Sequence, residues 1–172
     1  MPTIGVALAI PEPWATELQD YRTSIGDAMA ATIPTHITLV PPTDVTDEEL
    51  EEIEGHLAAA AAEVPAFEVH LRGTGTFRPV SPVVFVTVVE GISHCELLAA
   101  SVRRGPLDVD PAYPYHPHVT IAHHVADDRL DQAFDELAGF ECEFDVDDFQ
   151  LYVHDEERGW TPTRYFPLRP GT

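Results

Sequence analysis

Lysine is missing from this chain, and basic residues of any kind are few. All nine are arginine, against thirty aspartates and glutamates, for a formal net charge of −21. Nonspecific affinity for nucleic acid comes mainly from neutralising phosphates with Lys and Arg. A surface this acidic repels a long polyanion, so extended duplex binding is excluded as an expectation. A short substrate, or one strand end held locally, stays open. The bland account of the charge is a solvated acidic face adapted to a high-salt cytosol. Cysteine is also scarce. Cys95 and Cys142 form neither a metal-ligand spacing nor a disulfide framework, which suits reduced thiols and a cytoplasmic protein. Long apolar runs are lacking too. The longest, from Ile4 to Ile10, is cut off by Pro11 and Pro13 and falls well short of a membrane span. No basic residue precedes it, so it does not read as a signal peptide.

What is present suffices for a core. Apolar residues make up 44% of 172 positions, about the size of one domain or two small fused lobes. Ile4 to Ile10 reads as a buried strand. Trp14, Leu18, Tyr21, Ile25 and Met29 then recur at helical spacing. His36 to Val40 forms the next strand, before Pro41-Pro42. Thr46 with Glu49 makes a capping box for a helix bearing Leu50, Ile53 and Leu57, its acidic first turn suiting the helix dipole. Phe67, Val69 and Leu71 alternate as a strand.

The second half repeats the order. Val83 to Glu90 is a β-branched strand, and Ser93 with Glu96 predicts a capping box opening a helix to about Arg104. A Pro- and Tyr-rich loop leads to a strand from His118 to Val125. Leu130, Phe134 and Leu137 mark a helix that Gly139 is expected to end. Phe140, Cys142, Phe144 and Val146 alternate, and Phe149–His154 with Arg164–Leu168 predicts a closing hairpin. Each half thus reads strand, helix, strand, helix, strand. The middle strand of each opens on one tetrad: His36-Ile37-Thr38-Leu39 and His118-Val119-Thr120-Ile121. A repeated order with one shared signature predicts two related lobes facing each other, folded as one unit.

On a strand, residues two apart point to the same side. His36 and Thr38 therefore share a face, as do His118 and Thr120, with aliphatics anchoring the opposite face. A lone His beside a Thr is usually structural. Two copies at matched places in a repeated architecture point to chemistry. Imidazole titrates near neutral pH, so one ring can take a proton from water while another supplies one to a leaving oxygen. That pair of transfers is what in-line hydrolysis of a cyclic phosphodiester requires. Threonine hydroxyls can donate to the nonbridging oxygens, where charge gathers.

The paired tetrads resemble the His-x-Thr/Ser-x signature of the 2H phosphoesterase superfamily, which includes 2′-5′ RNA ligase-like proteins and cyclic nucleotide phosphodiesterases. Pro34-Thr35 before the first motif and Tyr115-His116-Pro117 before the second fit as well. Gly73-Thr74-Gly75-Thr76-Phe77 is similar to the family segment that carries a pocket-lining aromatic. The resemblance runs from Ile4 to Leu168. It implies a bilobal α+β fold with two antiparallel sheets lining a central groove and helices outside, here a single domain over 1–172 with lobes of about 1–75 and 76–172. It implies His36 and His118 as catalytic and Thr38 and Thr120 as phosphate-binding. The implied activity is hydrolysis, or reversible joining, of 2′,3′-cyclic phosphate ends of RNA or nucleotides, without cofactor or metal. The expected partner is a small nucleotide or RNA 3′ end, bound by a monomer. The scarcity of basic residues departs from members expected to grip RNA.

Other residues compete for roles. His116, His118, His123 and His124 crowd together and invite a metal reading. Pro117 between the first two, and the lack of an acidic or cysteine ligand nearby, argue against it. His123 and His124 are expected at the surface, at a strand end. Phe77 is a candidate to stack on a base, Arg78 to pair with a phosphate oxygen, and Tyr115 to donate to the phosphate. Trp160 and Arg164 fall in the last hairpin, with no position relative to the groove. The rival function is a noncatalytic module that binds nucleotide or RNA ends in the same groove.

Overall fold

The structure is a computed structural model that describes residues 2–107 and 115–170. Eight strands alternate with four helices in the order β1 (Thr3–Ala9), α1 (Trp14–Ile25), β2 (His36–Asp44), α2 (Asp47–Glu63), β3 (Phe67–Thr76), β4 (Val83–Glu90), α3 (Ile92–Val102), β5 (His118–His123), α4 (Asp127–Glu136), β6 (Glu141–Val146), β7 (Asp148–Asp155) and β8 (Gly159–Pro167). The α+β class is as expected. The two separate sheets are not. All eight strands join in one antiparallel sheet, ordered β6-β3-β4-β5-β2-β1-β7-β8.

The two halves of that sheet meet at β2 and β5, where one pair of residues, Ile37 and Val119, sits in register. The halves also trade elements. β3 lies within the first lobe as expected from sequence, yet it pairs with β4 and β6 of the second. β7 and β8 return to extend β1. The helices cross over in the same way, α1 packing on β5 and α3 on β2. Leu18, Ile53, Leu98 and Leu130, one from each helix, share a single core with Ile37, Leu39, Val119 and Ile121. No helix among the described residues is long and apolar enough to cross a membrane.

Several element ends differ from expectation for identifiable reasons. α1 stops at Ile25 because Gly26 adopts the left-handed conformation, φ 92°, which glycine enters without steric cost. Met29 falls in a short 3₁₀ turn capped by Asp27, whose carboxylate accepts from the Met29 amide. β2 runs on through Pro41 and Pro42 to Asp44, because its register with β1 shifts there and an irregular ladder tolerates a residue without N–H. Thr46 caps α2 as predicted, accepting from the Glu49 amide at 3.1 Å. Ser93 does not cap α3, which opens two residues earlier at left-handed Gly91. α4 ends at Glu136, ahead of Gly139. Most of the Pro- and Tyr-rich loop lies outside the described residues.

One in-register residue pair joins the two halves of the sheet, beside the crossing helices and the shared core. Ile37 is fully buried, so Ile37→Ala is expected to lower unfolding free energy in urea by about 2–5 kcal/mol. Leu97→Ala, at an exposed position, should change it by no more than about 0.5 kcal/mol.

Candidate active site

The two tetrads open β2 and β5 with the same alternation: His and Thr half-buried, the aliphatics between and after them buried. Ile37 and Val119 face each other in an antiparallel pair. Continuing that register by one residue each way sets His36 opposite Thr120 and Thr38 opposite His118. All four share the face turned away from Ile37 and Val119. Directly opposed residues in such a ladder stand about 4.5–5.5 Å apart at Cβ, and diagonal ones about 7–8 Å. The two imidazoles occupy one diagonal and the two hydroxyls the other.

Each ring is held in the same way. His36 Nδ1 lies 2.7 Å from the Pro34 carbonyl oxygen, and His118 Nδ1 lies 2.7 Å from that of His116. A carbonyl only accepts, so both Nδ1 atoms carry the proton and donate it. That leaves Nε2 as the nitrogen able to take or give a proton. On His36 it receives the Thr38 hydroxyl at 3.0 Å. Burial lowers both histidine pKa values below the usual imidazole range, and the carbonyl bonds oppose this only in part. Arg22 pushes His36 down further, while His116 and His36 do the same to His118.

The loop that carries the Pro34 carbonyl is tied to α1. Gln19 donates from its side-chain amide to the carbonyls of Ala30 and Ile33 and accepts the hydroxyl of buried Thr35. Arg22 is buried and paired with buried Asp27 at 3.2 Å, and it reaches the Ile33 carbonyl at 3.3 Å. These contacts fix the chain on either side of Pro34, and with it the tautomer of His36.

Beside the quartet opens a cavity of about 440 Å³, lined by His36, Thr38 and Thr120 together with Arg22, His123 and His124. Met29, Tyr152 and Trp160 supply apolar wall. In a chain with thirty acidic residues, none of the described residues lining this cavity is acidic. His118 stands outside the lining. Its ring meets Phe77 edge-on at 4.9 Å, with Phe85 at 5.2 Å and His116 at 6.0 Å.

Comparison with known proteins identifies the family. The family model of the 2′-5′ RNA ligase superfamily matches residues 10–158. The chain belongs to that superfamily. This is the 2H phosphoesterase group its tetrads resemble. A protein of Oceanobacillus iheyensis called "Putative phosphoesterase" is 30% identical over 144 residues, 83% of this chain and 84% of its own length. One of Bacillus cereus with the same description is 30% identical over 147 residues, covering 84% and 85%. Among solved structures, E. coli LigT complexed with NADP+ superposes with a TM-score of 0.72 at 21% identity, over 98% of both chains. TT0787 of Thermus thermophilus gives 0.70 at 23% identity, over 99% of both. At those identities the structures show the shared fold.

Within this superfamily frame the remaining expected residues take distinct places. Phe77 lies beside His118, tilted against Phe85 at 4.6 Å. Arg78 is paired instead with Asp131 of α4 at 2.9 Å, its Nε on Thr76. Tyr115 gives its hydroxyl to the Thr38 carbonyl at 2.8 Å, and Arg103 beneath it donates to the Leu39 carbonyl. Pro117, with no N–H to offer, follows Tyr115 just where β2 and β5 part. Tyr115 and Arg103 thus take over the backbone bonds of a missing strand. His123 and His124 lie at the end of β5 and at the surface, as expected; there they also border the cavity, stacked at 3.7 Å. Arg22 and Trp160 also line it, and nothing in the sequence pattern marked them. Trp160 is placed by a backbone bond to Thr32, whereas Arg164 pairs with Glu54. Among the described residues no three His, Cys, Asp or Glu side chains gather as metal ligands.

The lowered pKa values set a stability trend. Between the folded values of His36, His118 and His123 and the unfolded value of about 6.5, the unfolded chain binds more protons. Stability should therefore fall as pH drops below about 6.5 and the loss should level off beneath the folded values. Urea midpoints from pH 7.5 to 5.5 should show this decline, and His36→Asn should make it shallower.

Proposed function

We propose that this chain is a metal-independent phosphoesterase that hydrolyses, or reversibly joins, 2′,3′-cyclic phosphate ends of RNA or nucleotides by two-histidine general acid/base catalysis. The observation that carries the reading is the quartet across β2 and β5, with imidazoles on one diagonal and hydroxyls on the other. A cyclic phosphate seated at its centre meets Nε2 of His36 on one side and Nε2 of His118 on the other. One neutral ring takes a proton from water as its oxygen bonds to phosphorus. The other, protonated, gives its proton to the ribose oxygen as the P–O bond breaks. Thr38 and Thr120 donate to the nonbridging oxygens.

The depressed pKa values fit this scheme. Both rings are neutral in the free site near neutral pH, and the arriving phosphate anion favours protonation of one of them. A partner of small size suits the acidic exterior. E. coli LigT, of the same fold, has been crystallised with 3′-AMP, NADP+ and ATP, which supports nucleotides as the ligand class. Phe77, beside His118, is placed to line the substrate. Tyr115 acts from behind by holding the strand that carries Thr38.

The test is incubation of purified protein, with a chelator present, with 2′,3′-cyclic nucleotides and a short RNA ending in a cyclic phosphate. His36→Ala and His118→Ala should each lower kcat/KM by about 10²–10⁴-fold, and Thr38→Val or Thr120→Val by about 10²–10³-fold. The pH profile should be bell-shaped. Tight binding without turnover would point to the noncatalytic module, and turnover lost to the chelator would sink the metal-free mechanism.

A further inference from the structure

The row of residues that crosses the sheet through Thr120 holds one side chain large enough to crowd the quartet. Phe85 of β4 stands directly opposite Thr120 of β5 and, on its other side, directly opposite Gly75 of β3. Cross-strand partners share a face. The Phe85 ring therefore rises on the quartet's face, one strand, or about 4.8 Å, from Thr120. A ring in that place has two directions to lean: over β5 or over β3.

It leans over β3, into space that only a glycine leaves free. A Cβ added at Gly75 would stand 2.7 Å from Cε2 and from Cζ of Phe85, and 3.6 Å from Cδ2. Carbon atoms pack at about 3.5–4.0 Å, so the far end of the ring fills the volume of the missing side chain. The rest of its surroundings are occupied. Phe77, two residues beyond Gly75, closes the β3 side with its ring centroid 4.6 Å away. His118 lies at 5.2 Å and His116 at 5.4 Å, and Phe85 is only 5% exposed. A ring displaced from β3 is driven toward β5, onto His118 and Thr120. His118 has little slack to receive it, because its Nδ1 is tied to the His116 carbonyl at 2.7 Å.

We infer that Gly75 is a positioning residue of the active site: its missing side chain seats the Phe85 ring over β3 and so keeps that ring off His118 and Thr120. Gly75 touches no substrate and acts only through Phe85. The inference rests on the proposed function in giving His118 and Thr120 their roles.

The test adds the methyl group and then removes the ring it meets. Gly75→Ala should lower kcat/KM for 2′,3′-cyclic AMP by about 10- to 100-fold, as a displacement of about 1 Å at a reacting group does. In the same variant the imidazole resonances of His118 should shift, while those of His56, bonded to the Val102 carbonyl from α2, stay in place. A role confined to stability would lower the urea midpoint and leave the folded-state resonances of His118 where they were. Phe85→Leu removes the ring atoms that meet the added carbon. The Gly75→Ala/Phe85→Leu double variant should therefore lie within about threefold of Phe85→Leu alone in kcat/KM, the signature of two coupled neighbours. That comparison decides the matter even where Gly75→Ala alone fails to fold. An alanine that costs as much in the Phe85→Leu background as in the intact chain, or unmoved His118 resonances in Gly75→Ala, would overturn the inference. Failure of the functional reading looks different: the intact protein would not turn over 2′,3′-cyclic AMP, while Gly75→Ala would still shift the His118 resonances.

Discussion

One backbone pairing, Ile37 to Val119, decides which residues of the two tetrads meet. Everything chemical in the molecule is arranged around it. On one face its two aliphatic side chains close the core that all four helices share. On the other, the flanking residues His36, Thr38, His118 and Thr120 share one face. An antiparallel ladder fixes which residues meet. Two copies of His-x-Thr brought together at their central residues must place each histidine opposite the other copy's threonine. The quartet is thus a consequence of register and needs no specialised loop to assemble it.

Holding that register takes effort elsewhere. β2 and β5 part after a short stretch, leaving carbonyls of Thr38 and Leu39 that a neighbouring strand would normally satisfy. Tyr115 and Arg103 supply the donors instead. On the opposite side, Gln19 and Arg22 of α1 grip the Ala30–Ile33 turn. The Pro34 carbonyl is thereby kept where His36 can donate to it. Side chains from elements far apart in sequence set the geometry of the short strands, which is why substitutions well away from the quartet can disturb it.

Much of this was legible in the sequence, and the failures have physical causes. The duplicated order of elements and the two tetrads identified the family and the quartet, because period-two alternation is a local property that burial enforces. That the two expected sheets merge into one was not legible. β3 and β7 contain nothing local that says which half each pairs with, and only the folded sheet reveals the exchange. His123 and His124 end β5 at the surface as expected, but that they border a cavity follows from tertiary packing that strand alternation does not encode. Ser93 satisfied a capping pattern, but Gly91 offered the chain an earlier start for α3. Arg22 and Trp160 reach the cavity from α1 and β8, brought there by tertiary contacts that no spacing encodes. Arg78 pairs with a carboxylate on α4, a long-range contact that no local spacing encodes.

The quartet also has a property that neither histidine shows alone. Its two halves are interchangeable by a half-turn about the Ile37–Val119 pair, and both rings expose the same nitrogen with the same proton held behind it. Such an arrangement cannot by itself tell which side of a phosphorus atom is entered and which is left. Polarity must come from the unlike walls at its two corners: packed aromatic rings around His118, and an open, carboxylate-free recess beside His36. The direction in which a chain is read would then be a property of the surroundings, free to change without altering the reacting groups.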